Sequence, residues 1–145
     1  MDQLTLFFDR TFGKRLPRAL ASLKPPAEIR WHQGERFAHD MPDDEWLSIV
    51  GRKNWVVLSQ DRRFHVRDNE ALAIVQHGVR CFYLPCASED RWTSLCIFVR
   101  RHAPLIDLAT RSTSPFLFDL KRNGRFYPIA LPLPHTAAET AASTG

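Results

Sequence analysis

Short apolar runs of strand length alternate along this 145-residue chain with segments of helical periodicity. The runs are LTLFF, EIRWH, WVVLSQD and VRCFYL, at residues 4–8, 28–32, 55–61 and 79–84. Between the first two runs, Leu16, Leu20 and Leu23 recur at the spacing of one helix face. Because a strand–helix–strand order joins parallel strands by crossover helices, the pattern predicts an α/β fold with a mostly parallel central sheet and helices on both faces.

The C-terminal part of the chain has a different pattern. In PFLFDLKRNGRFYPI, residues 115–129, apolar residues alternate on both sides of Asn123-Gly124, which predicts a β-hairpin with Asp119 pointing outward. The sequence HTAAETAASTG, residues 135–145, has little to bury and predicts a disordered tail. We therefore expect a single domain over residues 1–134, a length sufficient for one hydrophobic core.

Composition excludes several classes of protein. No apolar run approaches the roughly 20 residues needed to span a bilayer, and no basic segment precedes the first apolar run, so we predict a cytoplasmic protein without membrane contact. Cys81, Cys86 and Cys96 show neither C-x-x-C nor paired zinc-site spacing. The net charge is +4 and the arginines are clustered, which fits a polyanionic partner, although a solvated face is the commoner explanation of such clusters.

Acidic residues end two of the predicted strands. Asp9 ends the first strand and Asp61 the third, and the carboxyl ends of parallel strands line one crevice. Asp43 opens the helix before the third strand, so we predict it both as a helix N-cap and as a third acid at this edge. Carboxylates gathered together repel one another unless a cation or proton intervenes, and oxygen ligands suit Mg²⁺ or Mn²⁺. We therefore predict an Mg²⁺ or Mn²⁺ site at Asp9, Asp43 and Asp61, with the Ser59 hydroxyl orienting Asp61 or a water.

Basic residues lie close to these acids in the sequence. We predict that Arg10, Arg62 and Arg63 hold phosphate groups, with Lys14 and Arg67 extending the same track. Charge balancing of the acids is an equally good explanation of the arginines.

Together these segments resemble a known family. The segments LFFDRTFGKRLPRAL, PDDEWLSIVGRKNWVVLSQDRRF, GVRCFYLP and PFLFDLKRNGRF resemble PIN-like domains, in particular the VapC-type toxins of toxin–antitoxin pairs. The most specific part is the ordered set of a strand ending in Asp, an acid three residues before Trp46, and a strand ending in Ser-x-Asp. The resemblance implies a three-layer fold in which Asp9, Asp43 and Asp61 bind the metal. Asp90 is the candidate for the fourth acid of many PIN domains, although it also suits the first turn of a helix.

The resemblance also implies a function and partners. It predicts a metal-dependent endoribonuclease that cleaves RNA by attack of a metal-activated water, with a cognate antitoxin protein as partner and a homodimer as its assembly. The alternative is a degenerate PIN-like module that binds RNA or a protein without cleavage. The lack of a firm fourth acid and an apolar helix face around Trp92 favour this alternative.

Overall fold

A computed structural model of the protein describes residues 3–85 and 90–132. The strands are β1 (Thr5–Phe8), β2 (Glu28–Trp31), β3 (Val56–Ser59), β4 (Arg80–Tyr83), β5 (Phe116–Leu120) and β6 (Phe126–Pro128). The α-helices are α1 (Arg15–Ser22), α2 (Asp43–Arg52), α3 (Asp68–Gln76) and α4 (Arg91–Arg111). Short 3₁₀ helices at Arg10–Phe12 and Phe64–Val66 follow β1 and β3.

The strands form one sheet in the order β2-β1-β3-β4-β5-β6. Neighbouring strands are parallel from β2 to β5, and β5 and β6 form the antiparallel hairpin. The predicted mostly parallel α/β sheet with a C-terminal hairpin is therefore confirmed. The chain passes from β1 to β2 on one side and returns to β3 on the other, so the strand order reverses between β1 and β3. In open α/β sheets, ligands bind outside the carboxyl ends of the strands at such a reversal.

Each face of the sheet carries its own hydrophobic core, because successive side chains of a strand point to opposite faces. In β1, Leu6 and Phe8 pack on one face, whereas Phe7 packs on the other. The first core includes side chains of α1 and α4, among them Leu16, Leu20, Phe98 and Leu105. The second includes side chains of α2 and α3, among them Trp46, Leu47, Val50 and Ile74. The result is the predicted three-layer arrangement.

One detail of helix α2 differs from the expectations. Helix α2 begins at Asp43, its cap position is Pro42, and no side chain caps its first turn, so the predicted N-cap role of Asp43 is wrong. Helix α4 continues through Pro104 for 21 residues. Cys81 and Cys96 are free thiols. The predicted tail and Cys86 lie outside the described residues. Within the described ranges, none of the helices combines the length and apolarity needed to cross a membrane.

Candidate functional site

The topology brings the three predicted acids to the carboxyl edge of the sheet, where the strand order reverses. Asp9 directly follows β1, and its N–H donates to the Leu58 carbonyl of β3 at 3.1 Å. Asp61 lies two residues after the end of β3, and Asp43 is the first residue of α2. Strand pairing thus places Asp9 beside the loop that carries Asp61.

Asp9 is the most buried of these acids, with 1% of its surface exposed. Its carboxylate accepts hydrogen bonds from the Thr11 N–H at 3.0 Å, from the Thr11 hydroxyl and from Ser59. Burial raises the pKa of Asp9 from 3.8 to about 7, these hydrogen bonds oppose the rise, and the charge of Asp43 adds to it. No basic side chain among the described residues forms an ion pair with Asp9. Asp9 is therefore poised to bind either a proton or a cation near neutral pH.

Asp43 has partners on both carboxylate oxygens. Oδ1 accepts from Arg10 Nη2 at 2.7 Å and from Trp46 Nε1 at 2.9 Å. Oδ2 lies 3.6 Å from Arg67 Nη1. Arg10 also donates to the His39 carbonyl at 2.6 Å, which fixes its position. The spacing of three residues between Asp43 and Trp46 places both on one side of the first helical turn. That spacing is the sequence signal for this hydrogen bond.

Asp61 is held by two guanidinium groups. Its carboxylate accepts from Arg63 Nε at 3.1 Å and from Arg67 Nη1 at 2.9 Å. Its N–H donates to the Ser59 hydroxyl at 2.9 Å. Since Ser59 also hydrogen-bonds to Asp9, this buried hydroxyl links the Asp9 carboxylate to the backbone of Asp61.

Arg67 connects the acids more extensively than the sequence suggests. The Nη1 nitrogen that contacts Asp61 lies 3.6 Å from Asp43 Oδ2 and 3.6 Å from Glu70 Oε1. The sequence alone gives Arg67 only as an extension of the basic track, and Glu70 carries no distinct signal. In the described part of the chain, no three acidic, histidine or cysteine side chains are arranged to hold one metal ion. A guanidinium group lies between Asp43 and Asp61 instead.

The donor chemistry nevertheless fits a hard divalent cation. Asp9, Asp43 and Asp61 offer the carboxylate oxygens that Mg²⁺ and Mn²⁺ prefer. In the part of the chain that the structure describes, the buried Asp9 has no counter-ion and experiences the charge of Asp43, so a cation would relieve an unfavourable charge there.

The remaining predicted site residues have different surroundings. Asp90 caps α4, accepting from the Thr93 N–H at 2.7 Å. Arg62 donates to Asp119 Oδ1 at 3.0 Å and to the Leu120 carbonyl at 3.2 Å. Asp119 is buried and also pairs with a lysine of the hairpin loop, so its predicted outward position is wrong. The hairpin thereby anchors an arginine beside the acids.

Two depressions share Thr11 and Gln60 among their lining residues, and Asp61 lines one of them. The first, of about 560 Å³, is also lined by Asp61, Arg62 and Arg63. The second, of about 360 Å³, includes Arg10 and, from α4, Arg91 and Ser94 in its lining. Lys14 is exposed just before α1. Three of the predicted phosphate-binding residues therefore line these two depressions, which we together call the basic trough, and α4 adds an arginine that sequence reasoning missed.

Comparison with known proteins places this geometry in a family. A family model described as a PIN-like domain matches residues 4–86, which is more than half of the chain. The matched segment contains Asp9, Asp43, Ser59 and Asp61 and stops before α4. No curated protein and no solved structure matches the chain.

Proposed function

The chain belongs to the PIN-like domain family, a family of nuclease-type modules, and on that premise we propose that it is a metal-dependent endoribonuclease. We further propose that it is the toxin of a toxin–antitoxin pair. One observation carries the nuclease proposal. The Asp9 carboxylate is buried beside Asp43 with no counter-ion among the described residues, and Ser59 connects it to the loop of Asp61.

In this proposal, Asp9, Asp43 and Asp61 hold Mg²⁺ or Mn²⁺. Such an ion, when bound, supplies a Lewis acid and an activated water for phosphodiester hydrolysis. The protein's own contribution is to orient the ligands. Trp46 Nε1 fixes one oxygen of Asp43, and Ser59 fixes Asp9 relative to the backbone of Asp61. Hydrogen bonds of this kind, made to the side chains that would bind the metal, orient their carboxylate oxygens toward it.

The basic trough is suited to RNA phosphates. Arg62 and Arg63 line the first of the two depressions that share Thr11 and Gln60, and Arg91 lines the second. Basic groups on both sides of the acids would hold the phosphates that flank the cleaved bond. Asp119 and Leu120 keep Arg62 in place, whereas the Arg63 side chain is 70% exposed and free to turn toward a phosphate.

A cleavage assay tests the proposal. Purified protein would be incubated with single-stranded and structured RNAs in Mg²⁺ or Mn²⁺, beside Asp61→Asn and an EDTA sample. Glu45→Gln is the matched control, because it removes an exposed acid of α2. We expect cleavage by the wild type and the control alone. Equal product in Asp61→Asn would contradict the proposed role of Asp61, and no wild-type cleavage of any RNA would contradict the nuclease.

The toxin assignment has its own test. Expression of the chain in bacteria should arrest growth, and co-expression of the protein encoded by the adjacent reading frame should restore it. Growth arrest that persists in Asp61→Asn would contradict toxicity through RNA cleavage. The predicted homodimer is checked by light scattering of the purified chain.

A specific observation favours the second candidate, a module that binds RNA without cutting it. Arg10 pairs with Asp43, and Arg67 with Asp61, so two of the three acids already have cationic partners. The same assay separates the candidates when RNA retention is measured in parallel. Retention without metal-dependent cleavage is the result that this second function predicts.

A further inference from the structure

We propose that Arg67 is a displaceable counter-ion. Its guanidinium neutralises Asp43 and Asp61 in the cation-free protein and leaves them when a divalent cation binds. The proposal rests on the metal-binding part of the proposed function and not on RNA cleavage.

The geometry of one nitrogen carries the first step. Arg67 Nη1 lies 2.9 Å from Asp61 Oδ2, 3.6 Å from Asp43 Oδ2 and 3.6 Å from Glu70 Oε1. The side chains of Asp43 and Asp61 are only 13% and 14% exposed, so water screens their charges poorly. Carboxylates in such surroundings need a nearby positive charge. Arg67 supplies it for both acids at once.

The second step is that the guanidinium and a divalent cation exclude each other. A cation bound to the same carboxylate oxygens would lie a few ångströms from Nη1, where the repulsion between like charges is strong in a partly buried site. The two positive groups are therefore alternative partners of Asp43 and Asp61.

The third step is that Arg67 is placed to move. It precedes α3 in an extended backbone conformation, and its side chain is 31% exposed. Glu70, in the first turn of the same helix, already lies beside the guanidinium. After the guanidinium has left Asp43 and Asp61, Glu70 remains as its ion-pair partner. Glu70 therefore acts as a positioning residue for Arg67.

The other arginines lack this combination. Arg10 is fixed by both Asp43 and the His39 carbonyl. Arg63 contacts Asp61, but its side chain is 70% exposed, so solvent weakens that pair. Arg63 is therefore the matched control for Arg67.

Mn²⁺ binding to the full chain without RNA tests the proposal, by titration calorimetry or by the spin-resonance signal of free Mn²⁺. Arg67→Gln should bind Mn²⁺ about tenfold more tightly than the wild type, because a unit positive charge close to the cation is removed. Arg63→Gln should stay within about twofold, since its charge is screened. Equal or weaker binding by Arg67→Gln overturns the proposal, as does the absence of Mn²⁺ binding in every variant.

A conservative variant guards against misfolding. Arg67→Lys keeps the positive charge and should bind Mn²⁺ with nearly wild-type affinity. If Arg67→Lys gains as much affinity as Arg67→Gln, charge is not the cause and the proposal fails. Melting curves add an independent measurement. Arg67→Gln should melt below the wild type in EDTA and show the larger rise in melting temperature on adding Mn²⁺.

Glu70 is tested in two backgrounds. Glu70→Gln should weaken Mn²⁺ binding in the wild type, because Arg67 loses its alternative partner, and should have no further effect in Arg67→Gln. An equal loss in both backgrounds would overturn the positioning role. Mn²⁺ binding that follows these expectations in a protein that cleaves no RNA supports this proposal and contradicts the ribonuclease. RNA cleavage by a protein whose Mn²⁺ affinity is unchanged in Arg67→Gln supports the ribonuclease and contradicts the displacement of Arg67.

Discussion

Asp9 and Asp61 follow neighbouring parallel strands, but the protein accommodates their negative charges in opposite ways. Asp9 is buried among hydroxyl groups and forms no ion pair with any residue that the structure describes, and its burial raises its pKa to about 7. Asp61 is paired with Arg63 and Arg67. The comparison teaches that position at a strand end makes an acid available to a site, whereas its neighbours decide whether its charge is balanced by an ion pair. The predictions below test this contrast, beginning with the largest effect.

The contrast first predicts a dependence of stability on pH. In the unfolded chain Asp9 titrates near 3.8, whereas in the folded protein its pKa is about 7. Between these values the folded state binds more protons, so the free energy of unfolding falls as pH rises through this window. Asp9→Asn should remove that fall, a difference on the order of a few kcal/mol at pH 8 in EDTA. Urea denaturation from pH 4 to pH 8 measures it.

Two controls accompany this measurement. Glu45→Gln removes an exposed acid and should follow the wild-type curve. Adding Mn²⁺ should reduce the wild-type slope, because a cation binds the ionised form of Asp9. A wild-type profile as flat as that of Asp9→Asn would mean that folded Asp9 is ionised throughout.

The second prediction concerns the support of Asp43. Trp46 is fully buried and donates to the Asp43 carboxylate, so Trp46→Phe removes a hydrogen bond to a charged group together with some core packing. We expect a loss of about 2–3 kcal/mol in the free energy of unfolding. Trp92→Phe, at a side chain that is 72% exposed, should change stability little. Equal effects of the two substitutions in denaturant unfolding would refute the special role of Trp46.

The third prediction addresses the hydroxyl groups around Asp9. Thr11 donates to the Asp9 carboxylate and accepts from the Gln60 N–H at 3.1 Å, so it joins the segments that follow β1 and β3. Thr11→Val keeps the shape and removes both contacts, at an expected cost of about 1–2 kcal/mol. The pKa of Asp9 should rise further, because a hydrogen bond that favours its ionised form is lost. NMR titration of the Asp9 side-chain carboxyl measures the shift, and a lower pKa would contradict this explanation.

The smallest expected effect is at the exposed partner of Asp61. Arg63→Gln removes an ion pair at 3.1 Å whose arginine is largely solvated, so stability should change by less than about 0.5 kcal/mol. If Arg63 contacts a phosphate as proposed, RNA retention should weaken and its salt dependence should decrease. A large loss of stability would show that the ion pair between Arg63 and Asp61 contributes more than its exposure indicates.

Much of the fold follows from sequence patterns. Apolar runs such as residues 4–8 and 55–61 mark strands and their ends, and Asn123-Gly124 marks the hairpin, so the sheet and the edge that carries Asp9 and Asp61 are predictable. The Asp43 side chain is less predictable, because an acid at the start of a helix has two competing roles. The Asp43 carboxylate accepts hydrogen bonds from the Trp46 and Arg10 side chains, although a helix cap was expected.

The ion pairs of the site are beyond sequence reasoning because they depend on side-chain positions across separate elements. Arg67 and Glu70 are three residues apart, a common surface pairing that gives no reason to expect contact with Asp43 of another helix. The same holds for Asp119, whose burial depends on Arg62 reaching it from the loop after β3. Alternation in the hairpin assigns a face to Asp119 but cannot show what covers that face.

Different parts of the chain supply the two parts of the site that lies at the reversal of strand order between β1 and β3. The acids and the arginine between them all come from residues 9–70, whereas α4 and the hairpin contribute Arg91, Ser94 and Asp119 around the trough. The outward-facing residues of α4 can therefore vary without touching the acids, whereas its inward-facing residues Phe98 and Leu105 belong to the core. Substitutions at Arg91 and Ser94 would change the lining of the trough while leaving the immediate surroundings of the acids in place, which gives an engineer a route to altered specificity on this scaffold.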